Sequence, residues 1–148
     1  MTEPNHDALK FENQLCFPLY ACSRAVIKQY KPVLDEIGLT YTQYITMMVL
    51  WEKKSCTVKE LGQILYLDSG TLTPLLKKLE EKGLVKRTRS REDERNLIIT
   101  STEAGNSLKN YAFRVPVEVG KCIDLTEEER TVLNKVLYKV LKQLEKSE

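Results

Sequence analysis

The chain has 148 residues, 42% hydrophobic and 30% charged, with a net charge of +2, which suits a single globular domain and excludes a disordered or fibrous chain. No apolar run approaches the ~18 residues of a membrane span, and Met1 to Asp7 lacks the basic and apolar regions of a signal peptide, so a cytoplasmic protein away from membranes is expected. Four cysteines without a close pairing pattern argue against a disulfide framework, and one histidine with no Cys-x-x-Cys argues against zinc; no metal and no cofactor is implied.

In chain order, His6 falls in a start expected to be unstructured. From Asp7 to about Tyr30, apolar residues recur at Leu15, Leu19, Cys22, Val26 and Tyr30, and again at Cys16, Tyr20 and Ile27, two interleaved stripes that predict a broadly buried helix. Pro18 interrupts it: the ring clashes with the Gln14 carbonyl, so the helix kinks or a new segment starts at Phe17 or Pro18. Cys16 stands directly before that break. A cysteine on an apolar stripe is ordinarily inert core filling. A thiol becomes reactive when hydrogen-bond donors or the positive end of a helix favour its thiolate, and Cys16 has that position if Pro18 opens a new segment.

After Lys31-Pro32 the chain is expected to turn. Thr40-Tyr41-Thr42-Gln43 is a capping box opening a helix to about Glu52, with Tyr44, Ile45, Met48, Val49 and Trp51 available for packing. Lys53 to Thr57 reads as a link, with Cys56 half exposed and structural. Thr57-Val58-Lys59-Glu60 is a second capping box, and Val58, Leu61, Ile64 and Leu65 give its short helix a core face. Tyr66 to Asp68 then turn the chain, which is helix-turn-helix spacing.

The second helix of that pair starts at a cap on Asp68 or Ser69 and stops at Gly83. Leu72, Leu75, Leu76 and Leu79 form one stripe, while Ser69, Thr71, Thr73, Lys77 and Lys78 occupy the other face, where hydroxyls and cations suit base edges and phosphates. Pro74 predicts a slight kink or 3-10 character. Leu84 to Arg89 and Asn96 to Thr100 are β-prone runs around the polar Ser90-Arg91-Glu92-Asp93-Glu94-Arg95, a two-stranded hairpin with a charged tip. Residues 69–91 hold seven cations (Lys77, Lys78, Lys82, Lys86, Arg87, Arg89, Arg91) against Glu80 and Glu81, which concentrates the positive field of a nearly neutral chain on one element. Such a patch alone is often a solvated face; joined to a helix-turn-helix and a wing it predicts nucleic-acid binding.

Thr102 can cap a helix running toward Val119, bent by Val115-Pro116 and loosened at Gly120. Thr126-Glu127-Glu128-Glu129 is a third capping box, and Val132, Leu133, Val136, Leu137, Val140, Leu141 and Leu144 make a stripe that needs a partner, for which a two-fold copy of the chain is the natural candidate. Cys122 lies in the bend between these helices.

Leu67-Asp68-Ser69-Gly70-Thr71-Leu72-Thr73-Pro74-Leu75-Leu76-Lys77, the wing residues Asp93-Glu94-Arg95, and Leu15-Cys16-Phe17 with Tyr30-Lys31-Pro32 and Leu39-Thr40-Tyr41 resemble the MarR family of bacterial repressors. More narrowly they resemble its organic hydroperoxide resistance branch, OhrR, the thiol-based peroxide sensors, over nearly the whole chain. The resemblance implies that Tyr30 and Tyr41 supply the hydroxyls that hydrogen-bond the reactive sulfur of Cys16. It implies that the first, fifth and sixth helices form the dimer, and that Cys122 can trap the oxidised Cys16 of the other subunit as a disulfide. A surface cysteine without a role is the alternative for Cys122. Cys22, six residues after Cys16, points to a different face of the helix. Pro18 and Ser101, where the family has a helix former and a leucine, are departures.

The expected protein is mainly α, a winged helix-turn-helix with long terminal dimerisation helices (8–35 and 102–146) flanking a DNA-binding part (40–100) within one domain, 1–148. It is expected to be a homodimeric repressor on an inverted-repeat operator that lets go when an organic hydroperoxide oxidises Cys16, with a low-molecular-weight thiol as a further reactant. Lys77, Lys78, Lys82, Lys86, Arg87, Arg89 and Arg91 would serve phosphates, Ser69, Thr71 and Thr73 the major groove, and Arg95, held by Asp93, the minor groove. Two alternatives stand beside it: a repressor released by a small aromatic ligand, with Cys16 lining the pocket, and a thiol peroxidase. The chain lacks the alternating strands and helices of a thioredoxin-like scaffold, and peroxide stoichiometry separates the enzyme from the sensor.

Overall fold

The computed structural model describes residues 4–147, so the first part of the expected unstructured start lies outside the described residues. The rest of that start is wound: His6–Leu9 and Phe11–Asn13 are two 3-10 turns, the first capped by the Asn5 side chain on the Asp7 N–H at 2.9 Å. Helix α1 (Cys16–Asp35) begins at Cys16, well after Asp7. Pro18 is then the third helical residue, where its missing N–H belongs to the first-turn donors that have no intrahelical partner. Proline thus sets where the helix starts, without kinking it midway.

Lys31-Pro32 does not turn the chain. Helix α1 runs through Pro32 to Asp35, and Leu34 beyond it is 1% exposed. The stop is Gly38, left-handed at φ +68, after which the Leu39 N–H returns to the Leu34 carbonyl at 3.1 Å. Helix α2 (Tyr41–Lys53) opens on the capping box between Thr40 and Gln43, and strand β1 (Ser55–Thr57) follows. Helix α3 (Val58–Leu65) opens on the box of Thr57 and Glu60, and α4 (Ser69–Glu81) is capped by Asp68. Helix α4 is α-helical straight through Pro74, with no 3-10 stretch. Strands β2 (Val85–Arg89) and β3 (Leu97–Ser101) form the wing.

The segment read as a link is a strand. Strand β1 pairs antiparallel with β3, which pairs with β2, so Ile99 lies between Cys56 and Arg87 in a three-stranded sheet. Cys56 is consequently buried, not half exposed. The last helices are α5 (Glu103–Ala112), α6 (Arg114–Gly120) and α7 (Glu127–Glu145). The single helix expected toward Val119 breaks at Phe113, so that Pro116 falls in the first turn of α6.

Met47, Leu50, Leu61, Leu79 and Ile99 are fully buried and join α2, α3, α4 and β3 into one core. Burial of each such side chain contributes about 1.5 to 3 kcal/mol. The Trp51 indole donates to the Gly105 carbonyl at 2.8 Å, pinning α2 to α5. Gly105 is required there, since a Cβ would lie 2.2 Å from the Leu84 carbonyl oxygen. By contrast α7 buries none of its residues, and Leu133, Val136 and Leu144 face solvent, as do Leu15, Leu19 and Ile27 of the N-terminal region. Among the described residues no helix is long and apolar enough to cross a membrane.

Candidate nucleic-acid interface and thiol site

Burial of Leu72, Leu75, Leu76 and Leu79 fixes the rotation of α4. The opposite face, with Ser69, Thr71, Thr73, Lys77 and Lys78, is exposed as expected from the stripe. Asp68, not Ser69, is the cap: its carboxylate accepts the Thr71 N–H at 2.7 Å. The corner before it is tight. Tyr66 is left-handed (φ +55), the N–H groups of Tyr66 and Leu67 both reach the Gly62 carbonyl, and a Cβ on Gly62 would stand 2.8 Å from the Leu67 oxygen.

The cations divide into two groups. Lys77, Lys78, Lys86 and Arg91 are exposed and form no ion pair among the described residues. Lys82 is exposed but engaged, its ammonium donating to the Gly38 carbonyl and, at 3.1 Å, to Gln43 Oε1. Arg87 is committed to Glu80 through Nε at 3.1 Å, Nη2 at 2.9 Å and its own backbone N–H at 3.0 Å. Lys82 and Arg87 were expected to face phosphates; in the structure their donors also link α4 to the turn after α1, to α2 and to β2. Arg89 Nη1 donates to the Glu94 carbonyl at 2.9 Å across the wing. At the tip Arg95 is 91% exposed, with Nε donating to Asp93 Oδ1 at 3.2 Å, so Asp93 steadies it as expected. Hydrogen bonds from Arg87 hold the Glu80 carboxyl below the usual carboxylate range, and those from Arg95 do the same for Asp93.

Cys16 is exposed at the first residue of α1. Its neighbour Phe17 stacks on Phe11 with ring centroids 4.5 Å apart, and Leu15 is 82% exposed. Tyr30 and Tyr41 meet edge to face at 4.9 Å, with Tyr44 behind them. Partial burial, and then Tyr30, raise the Tyr41 hydroxyl above the ordinary phenol range, so it remains a donor at neutral pH. The chain does not bring the thiol to these hydroxyls. Fourteen residues of one helix separate Cys16 from Tyr30, about 21 Å at the α-helical rise. Beside Tyr41 a hollow of about 220 Å³ opens between Ile27, Leu34 and Leu39.

Cys122 is exposed in the turn after α6, which packs on α1 and starts against its C-terminal end, where Arg114 lies 3.8 Å from Glu36. Cys122 thus follows a helix that starts beside the C-terminal end of α1, the end opposite Cys16. Cys22 is exposed. Burial, with Glu60 adding to it, pushes the Cys56 thiol up to about 11, which keeps it protonated and inert. Sequence reading missed the bracing contacts of Glu80 and Gln43 and the left-handed backbone of Tyr66 in a turn it did place. Of these only the corner had a signal, Gly62 inside a helical pattern three residues before a helix end.

A recognition helix with a polar outer face, a wing braced to it, and terminal helices whose apolar faces are uncovered define a winged-helix transcriptional regulator. Comparison with known proteins gives the same class. The family model described as "Transcriptional regulator SarA/Rot" matches residues 28–111. The organic hydroperoxide resistance transcriptional regulator of Bacillus subtilis (strain 168) is 48% identical over 142 residues, 96% of this chain and 97% of that one. The structure of reduced AbfR bound to DNA superimposes with a TM-score of 0.78 at 37% identity, covering 94% of this chain and 96% of that one. Disulfide-formed AbfR superimposes with a TM-score of 0.67 at 36% identity, covering 94% and 95%. The chain belongs to the MarR/SarA-type family of transcriptional regulators, which are not enzymes.

Proposed function

We propose that the protein is a homodimeric, DNA-binding repressor that senses organic hydroperoxides through Cys16 and releases its operator when that thiol is oxidised. The observation that carries this reading is the separation of Cys16 from the Tyr30–Tyr41 pair. A thiol at one end of α1 and two phenols with an open hollow at the other make one site only when a second copy runs antiparallel across the first. The unpartnered faces of α1 and α7 supply the contact for such a pairing. Segments 8–35 and 102–146 are then the dimerisation part and 40–100 the reading part.

In the assembled site the hydroxyls of Tyr30 and Tyr41 from one copy donate to the sulfur of Cys16 from the other, and the positive end of α1 adds to the same stabilisation of the thiolate. The thiolate attacks the distal peroxide oxygen, the O–O bond breaks, an alcohol leaves with the solvent proton, and Cys16 becomes a sulfenic acid. A second thiol, Cys122 of the other copy or a low-molecular-weight thiol, condenses with it, losing water and leaving a disulfide. The likeness to an organic hydroperoxide regulator and to a relative solved in both DNA-bound and disulfide forms supports this sequence of events.

Two recognition helices related by a two-fold axis suit an inverted repeat with half-sites about 10 bp apart. Ser69, Thr71 and Thr73 face base edges, Lys77, Lys78, Lys86, Arg89 and Arg91 the phosphates, and Arg95 the minor groove. Lys82 and Arg87 act by holding α4. Full release requires a differential stability of about 5 kcal/mol between the two dimer arrangements, more than one altered hydrogen bond supplies. The test is operator binding by wild type, Cys16→Ser and Cys122→Ser, each with and without cumene hydroperoxide. Cys16→Ser should bind under both conditions. Cys122→Ser should bind when reduced and show altered or irreversible release. Peroxide-driven release that survives in Cys16→Ser contradicts the reading.

A further inference from the structure

The corner between α3 and α4 holds a residue whose backbone would be more comfortable as glycine. Tyr66 sits at φ +55, where a Cβ crowds the neighbouring carbonyl and glycine does not. Its side chain stands in a cleft of about 740 Å³ between the corner and the last turns of α7, represented by Leu141, Leu144 and Glu145. Desolvation in the cleft, then the Glu145 carboxylate and the Tyr138 phenol, raise the Tyr66 hydroxyl above the ordinary phenol range.

The corner itself is stiff. Gly62 and Leu67 touch backbone to backbone, and Asp68, two residues after Tyr66, caps the recognition helix. Tyr66 thus stands two residues before the cap of α4, where a displacement of its ring is placed to reach the start of that helix. Helix α7 forms the far wall of that cleft, buries none of its own residues and, on the functional reading above, belongs to the dimer contact that oxidation rearranges.

We propose that Tyr66 is a positioning residue: its ring couples α7 to the N-terminal end of the recognition helix and sets how completely DNA is released when Cys16 is oxidised. The proposal rests on the redox-repressor reading. It assigns the work to the ring, because the facing wall is built from Leu141 and Leu144, and it gives a non-glycine residue in a left-handed turn a reason to be there.

The test measures operator affinity before and after cumene hydroperoxide for wild type, Tyr66→Gly, Tyr66→Phe and Leu144→Ala, with the oxidation state of Cys16 read by mass spectrometry. Tyr66→Gly suits the left-handed backbone and should bind DNA in the reduced state within about threefold of wild type, with Cys16 oxidised to the same extent, while its reduced-to-oxidised affinity ratio falls about tenfold. Leu144→Ala, which removes the opposite wall without touching the corner, should lower the ratio in the same direction, and Tyr66→Phe should keep it. Wild-type ratios in both Tyr66→Gly and Leu144→Ala overturn the proposal. Absence of peroxide-driven release in wild type would overturn the functional reading itself, a result these variants cannot mimic.

Discussion

The Glu80 carboxylate accepts three hydrogen bonds from Arg87, two from the guanidinium and one from the backbone N–H, and so joins the recognition helix to the first strand of the wing. Because Arg87 holds the Glu80 carboxyl low, the pairing contributes its full stability above the ordinary carboxylate range and loses it as pH falls through the lowered value. Glu80→Gln should therefore melt below wild type at pH 7, and the gap should narrow as pH falls below the ordinary carboxylate range. Calorimetry at stepped pH reads it; a gap that is constant with pH would show that the charge on Glu80 is immaterial.

Gly105 lies under the base of the wing, where a Cβ would meet the Leu84 carbonyl oxygen at 2.2 Å and the Met47 methyl at 3.1 Å. Gly105→Ala should cost about 1 to 3 kcal/mol or more of unfolding free energy, since backbone and not a flexible side chain must give way. Gly120→Ala is the control, with nothing within 4 Å of its added methyl. Urea titration of both variants should show a large loss for the first and little change for the second.

Arg95 and Lys82 carry the same charge and should fail in different ways. Arg95, 91% exposed at the wing tip, should lower operator affinity by about 1 to 3 kcal/mol when changed to alanine, with the melting temperature unmoved. Lys82→Gln removes the links to Gly38 and Gln43, so it should lower the melting temperature while leaving the salt slope of DNA binding near that of wild type. Anisotropy titrations across a salt series, beside melting curves, separate the two.

Much of the fold was legible because its signals are local. The boxes at Thr40, Thr57 and Thr126 each open the helix they announced, and Gly83 stops α4 in the left-handed region. Proline was the weaker guide: Pro32 and Pro74 both sit inside helices, where packing of Leu34 and of the α4 leucines outweighs a lost hydrogen bond. Strand β1 was hidden because three residues are too few for a periodic pattern, and its partner β3 lies more than forty residues away in the chain. Exposed members of the recognition face could be read from the α4 stripe. The contacts of Lys82 with Gly38 and Gln43 and of Arg87 with Glu80 could not, since a cation's partner from another element leaves no mark at short spacing.

Cys56 provides an internal standard for thiol chemistry. Its thiol, pushed up to about 11 by burial, stays protonated throughout the neutral range and is shielded by the sheet. At pH 7.5 iodoacetamide should label Cys16, Cys22 and Cys122 well before Cys56, and Cys56 should react only as pH nears 11 or on unfolding. Site-resolved mass spectrometry checks the order. Early labelling of Cys56 in the folded protein would mean that the three-stranded sheet opens readily.

Cys16 and Tyr30 of the Tyr30–Tyr41 pair lie fourteen residues apart on one helix, so the proposed redox switch calls for a site assembled from two chains, and mixed dimers test this most directly. One chain carries Cys16→Ser with both tyrosines intact, and the other carries Tyr30→Phe and Tyr41→Phe with Cys16 intact. In the mixed dimer the remaining thiol faces the intact tyrosines only across the interface. Its rate of oxidation by cumene hydroperoxide should return to that of wild type, well above the rate in the doubly phenylalanine homodimer, and DNA release should follow. A mixed dimer that reacts as slowly as that homodimer would contradict a site assembled from two copies.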